Sequence, residues 1–105
     1  CYLIEPLLVS FGYSSVSFYK SATAVPLARH LSDQLKRAAS SIVLNLAEGA
    51  GREFPADQRR FYTIALGSLR ECEAILTIAG LDNTHLKQLD ILAAHLYKLI
   101  QSKKG

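Results

Sequence analysis

Arg37, Ser41, Asn45 and Glu48 recur at i, i+4, i+8 and i+11, so on a helix their guanidinium, hydroxyl, amide and carboxylate groups form one polar stripe. Groups of these types can pair with a neighbouring helix and fix its register or a subunit contact; alternatively Arg37, Asn45, Glu48 and Arg52 line a surface that contacts RNA or a protein partner. The stripe lies within Gln34–Arg52, QLKRAASSIVLNLAEGAGR, where Leu35, Ala38, Ala39, Ile42, Val43 and Leu46 keep the three- and four-residue spacing of an apolar helical face. Polar and apolar stripes therefore run side by side. Each polar group then needs a partner, because an unpaired buried carboxylate costs several kcal/mol or takes up a proton.

Positive charge is the second resource. It falls in short clusters at Lys36-Arg37, Arg59-Arg60 and Lys103-Lys104. Lys36, Arg59, Arg60 and Arg70 lie off the apolar stripes, which makes them the candidate contacts to nucleic-acid phosphates; a solvated face is their alternative role. The net charge of +3 makes a single copy a poor nucleic-acid binder, whereas an oligomer multiplies that charge and can align the clusters.

Patterns for enzyme chemistry are missing. A di-iron bundle needs Glu-x-x-His on two helices, and no such spacing occurs around Glu5, Glu48, Glu71 or Glu73. His30, His85 and His95 are scattered, and Asp82-x-x-His85 is half of a metal site that also reads as a helix start. Cys72 sits in the apolar series Phe61, Ile64, Ala65, Ser68, Cys72, Ile75 and Ala79, as a buried thiol would. There is no GxxxxGK[ST] phosphate loop. The expectation is a binding protein rather than an enzyme, with no cofactor and no metal.

Four helical segments position these residues. The first runs from about Pro6 to Ser21, with Glu5 as cap and Leu8, Phe11, Ser15 and Phe18 on one face; Gly12 weakens it by about 1 kcal/mol. The second spans about Leu27 to Glu48, with Gly49 as its stop, and the third Pro55 to Ala79, with Gly80 closing it. The fourth begins at Asp82 or Asn83 and reaches about Ser102, with Leu89, Leu92, Leu96 and Leu99 on a 3-4-3 seam. Short connections make neighbours antiparallel, so the expected fold is a single all-α domain over residues 1–105, an antiparallel up-down-up-down four-helix bundle.

A turn centred near Arg52 and Glu53 would bring Arg37 level with Ser68 and within a turn of Glu71. This predicts an Arg37–Glu71 ion pair, with Ser68, Ser41 and Asn45 completing the hydrogen bonds and Glu48 meeting Arg52 or Arg60. Gly67, which costs about 1 kcal/mol in mid-helix, is expected to permit close helix approach, with Ala65 and Ser68 facing Ala38, Ala39 and Ser40.

Half of the residues are apolar and a fifth charged, as in a soluble globular domain, and no apolar run nears the ~20 residues that span a bilayer. Glu5, Pro6 and the missing basic leader argue against a signal peptide, and the absence of Met points to a trimmed start. Two cysteines, Cys1 and Cys72, do not make a disulfide framework.

The words QLKRAASSI, NLAEG, GR and A-x-GSL-x-E, within about Leu31–Gly80, resemble the bacterial family of small four-helix-bundle proteins that includes the 23S ribosomal RNA intervening-sequence proteins and the accessory proteins of diversity-generating retroelements. Val43 or Leu44, and Leu66, stand where that family commonly has a proline and an arginine. The resemblance implies a cytoplasmic bacterial protein without catalytic activity, assembled as a homo-oligomer, typically a pentamer. Retroelement members bind RNA or DNA and a reverse transcriptase through a basic surface. The competing expectation is a structural scaffold that recruits a protein partner and no nucleic acid.

Overall fold

The computed structural model describes residues 16, 19–20, 28–80 and 83–103. These are all-α, with three helices and no strand among them: α1 (Arg29–Ala50), α2 (Pro55–Ala79) and α3 (Asn83–Ser102). They correspond to the second, third and fourth expected segments. The first expected segment, with Glu5, Leu8, Phe11, Ser15 and Phe18, lies outside the described residues; within it only Val16, Tyr19 and Lys20 are described, and all three are helical. The expected four-helix bundle is thus seen as three helices, with Tyr19 packed against their core. The candidate cap Asp82 and the terminal Lys104 also lie outside the described residues.

Pro55 opens α2 at its first position, where a missing N–H costs nothing, and Asp57 adds an acid in the first turn. Gly80 ends it in the left-handed region at φ 69°, its N–H reaching the Leu76 and Thr77 carbonyls. The end of α1 differs from expectation: the helix runs through Gly49 to Ala50, and Gly51 donates to the Ala47 and Glu48 carbonyls. Gly49 is a packing residue. A Cβ there would lie 2.5 Å from Tyr62 Cε1.

α2 is the central element. It packs on both α1 and α3, whereas no Cα atoms of α1 and α3 approach within 8 Å of each other. On α2 the inward residues Tyr62, Ala65, Leu69, Cys72 and Leu76 alternate steps of three and four; Leu35, Ala39 and Ile42 meet them from α1. Leu89, Leu92, Leu96 and Leu99 are all buried, as their seam predicts, each stabilising the fold by roughly 1.5–3 kcal/mol.

Two contacts fix the hairpin register. Ser41 Oγ and Ser68 Oγ are 2.7 Å apart, and Gly49 faces Tyr62, so opposite positions are symmetric about Pro55 rather than about Arg52 and Glu53. That displacement of two to three residues leaves Arg37 and Glu71 at nearly the same height; what separates them is the rotation of α2, whose buried face runs through Tyr62, Ala65, Leu69, Cys72 and Leu76 and leaves Glu71 outside. Glu71 and Arg37 are both exposed, and the predicted Arg37–Glu71 ion pair is not formed. Ile64, expected inward, is 45% exposed, while Tyr62 takes the inward place.

Candidate nucleic-acid interface

The end of the α1–α2 hairpin gathers three arginines. Arg52 stands in the turn, and Arg59 and Arg60 stand in the first turns of α2. The Arg52 N–H donates to the Gly49 carbonyl at 3.2 Å, which holds the turn tight against α1. The Arg52 side chain then reaches across to α2, its Cζ over the Phe61 ring at 4.7 Å from the centroid, while Arg60 Cζ lies over the same ring at 4.8 Å. Each such contact contributes about 0.5–1 kcal/mol at an exposed site.

Arg52 Nη2 also donates to Glu48 Oε2 at 2.9 Å, one of the two pairings expected for Glu48. Both groups are substantially exposed and spaced i, i+4, so the pair adds only some tenths of a kcal/mol. Arg60 makes no ion pair and no hydrogen bond among the described residues, and its charge is left uncompensated. Phe54, 62% exposed, caps α2 in an extended conformation, with its carbonyl accepting the Gln58 N–H at 3.0 Å. Glu53 and Asp57 add negative charge at the same end.

The four candidate basic residues do not form one patch. Arg59 and Arg60 lie together; Arg70, about 15 Å further along α2 at 1.5 Å per residue, is tied to Glu73 Oε1 at 2.7 Å. Lys36 is exposed on α1, well away from the hairpin end. Arg52, expected either in the structural network or on a contact surface, joins turn and helix at the hairpin end. The adjacency of Arg60 and Phe61 was the one sequence signal for this stack; that Arg52 also reaches the ring depends on the turn.

The polar network is smaller than expected. Asn45 Nδ2 donates to the Ser41 carbonyl at 2.8 Å and to Ser41 Oγ at 3.0 Å, and Ser41 meets Ser68. These three bridge the helices in mid-hairpin, Glu48 and Arg52 pair at its end, and Arg37 and Glu71 stand apart. Gly67 is exposed, with open space where a Cβ would be, so it serves no close approach to α1.

Burial pushes the Cys72 thiol up to about 12, with Glu71 and Glu73 adding to the shift, so at neutral pH it stays a protonated core residue. No group of three or more His, Cys, Asp or Glu side chains among the described residues is placed to hold a metal ion. A concavity of about 180 Å³ between Val16, Tyr19, Ser40, Val43 and Leu44 has apolar walls and presents no carboxylate, imidazole or thiol. No helix of the described residues is long and apolar enough to cross a membrane.

A family model described as "23S rRNA-intervening sequence protein" matches residues 14–102. No curated protein and no solved structure matches the chain.

Proposed function

Because the chain belongs to the 23S rRNA-intervening sequence protein family, we propose that it is a non-enzymatic, homo-oligomeric accessory protein that binds nucleic acid through the arginine-bearing end of its α1–α2 hairpin. The observation that carries this reading is the gathering of Arg52, Arg59 and Arg60 at one end, with Arg60 held on a ring and matched by no carboxylate among the described residues. The family's description names ribosomal RNA, which makes RNA the first nucleic acid to test. A reverse transcriptase is the protein partner that the retroelement kinship implies, and a cytoplasmic pentamer is the corresponding assembly.

Assembly answers the weakness of a single copy. At +3 each, several copies sharing one particle would multiply the charge seen by a polyanion. The outer face of α2 is where a neighbouring copy would pack: Ile64 and Ile78 are 45% and 72% exposed, with the small Gly67 and Ala74 between them and the exposed Glu71 at the centre, which a partner would have to match with a cation.

RNA binding measured across a salt series tests the reading. Affinity should fall steeply, log K against log salt, by about 0.7 per phosphate engaged on a single strand. The second reading, a protein scaffold, is favoured by the exposed Ile64, Ile78, Ile91 and Tyr97; it expects no RNA binding and a partner contact indifferent to salt.

A further inference from the structure

We infer that the hairpin end is a site selective for single-stranded RNA, in which Arg52 and Arg60, braced on Phe61, hold a backbone phosphate while Phe54 stacks a base. This deepens the nucleic-acid reading above and rests on it.

The bracing comes first. Both guanidinium carbons lie within 5 Å of one centroid, at 4.7 and 4.8 Å, so they are at most 9.5 Å apart. Two like charges so placed repel, and only Arg52 has a carboxylate to offset it, at Glu48. Of the two guanidinium groups at the ring, Arg60 is therefore the one without an ion pair among the described residues. A cation over a ring keeps its N–H donors free to bond elsewhere, and a guanidinium presents five of them, in pairs that match phosphate oxygens. Arg60 makes no hydrogen bond among the described residues, and Arg52 makes one, through Nη2.

Phe54 supplies the selectivity. It is a large ring, 62% exposed and two residues from Arg52 in sequence, on a backbone held by the Gln58 N–H bond to the Phe54 carbonyl. An exposed ring beside a phosphate contact can take an unstacked base, whereas the bases of an RNA duplex are stacked on one another and lie behind a narrow groove. Glu48, Glu53 and Asp57 at the same end oppose a long polyanion track. The site thus fits one or two phosphates per chain.

The test is fluorescence anisotropy of the full-length protein with a short labelled oligouridylate and with duplex RNA of the same length, at one low salt concentration. The wild type should prefer the single strand. Arg60→Lys, which keeps the charge and removes the fork and much of the stack, should weaken oligouridylate binding about fivefold. Phe54→Ala should weaken it at least about fivefold and leave the duplex nearly unchanged. Arg70→Ala and Lys36→Ala should leave both unchanged. Arg60 and Phe54 are exposed, so both variants should keep wild-type helicity by circular dichroism; Phe61→Leu, half-buried, serves only as a supplement. If the wild type binds RNA and neither Arg60→Lys nor Phe54→Ala weakens it, this site is wrong and the wider reading stands. If the wild type binds neither RNA, both are wrong. Displacement of the RNA by polyglutamate, equally from wild type and Phe54→Ala, would assign the arginines to an acidic protein segment and overturn the proposal.

Discussion

The ring of Tyr62 fills the space that a side chain at Gly49 would need: a Cβ there would be 2.5 Å from Cε1 and 2.9 Å from Cδ1. This contact locks the end of α1 to the start of α2, one turn from the arginines. Gly49→Ala gains about 1 kcal/mol of helix propensity and incurs about 1–3 kcal/mol of overpacking in the buried hairpin. The tyrosine is wholly buried and cannot swing into solvent, so the clash should prevail. The expected melting temperature is lower by roughly 5 °C. A variant that melts higher than wild type would show that the hairpin does not close this way.

Gly67→Ala should do the opposite. No atom lies within 4 Å of the added methyl, and the folded chain should gain up to about 1 kcal/mol. Ile78→Arg on the same outer face should leave helicity intact and reduce the solution mass measured by light scattering. A mass unchanged by that substitution would remove this face from the proposed assembly.

The Tyr62 hydroxyl is buried and has no hydrogen-bond partner among the described residues. Removing an unsatisfied buried polar group avoids a desolvation cost of about 1–3 kcal/mol, so Tyr62→Phe should be neutral or stabilising in urea unfolding. A loss above about 1 kcal/mol would mean that the hydroxyl is bonded in solution, to water or to another chain.

Two groups give the fold an alkaline limit. Burial raises the Tyr62 phenol above its ordinary 10.0, and burial with Glu71 and Glu73 raises the Cys72 thiol from 9.0 to about 12. Both are neutral when protonated and their folded values exceed their unfolded ones. Their contribution is therefore complete below about pH 9 and is lost as the pH rises toward 12. Stability measured by urea unfolding should fall above pH 9, and Cys72→Ala should reduce the slope by up to one proton, about 1.4 kcal/mol per pH unit. An unchanged slope in that variant would place the thiol in a less buried setting.

Glu48 competes with phosphate for Arg52. Glu48→Gln should raise RNA affinity a few-fold at low salt, with the gain shrinking as salt rises, while Arg60→Ala should reduce the salt slope by about 0.7. Equal affinities of wild type and Glu48→Gln at every salt concentration would take Arg52 out of the interface.

The extent of α2 was legible because Pro55 and Gly80 act locally, one by fixing φ and removing an N–H, the other by adopting a left-handed turn. The leucine seam of α3 was legible for the same reason: its period is a property of one helix. Gly49 was misread, since a glycine that stops a helix and a glycine that admits a neighbouring ring look the same in sequence. The pairing expected for Glu71 failed for a different reason: Ile64 and Tyr62 both suit an inward place by type, and the structure buries Tyr62, which rotates Glu71 outward. Of the interface, the Arg59-Arg60 doublet was readable as charge. The place of Arg52 on Phe61 was not, because it depends on how a four-residue turn orients one helix against the next.

The placement of α2 between two helices that do not approach each other gives the chain a seam of weakness. Among the described residues α3 packs on α2 alone; its departure would leave the α1–α2 hairpin with its serine bridge and its Gly49–Tyr62 lock untouched. Amide exchange should accordingly be faster along α3 than in the hairpin, and the arginine end belongs to the part of the protein that comes apart last.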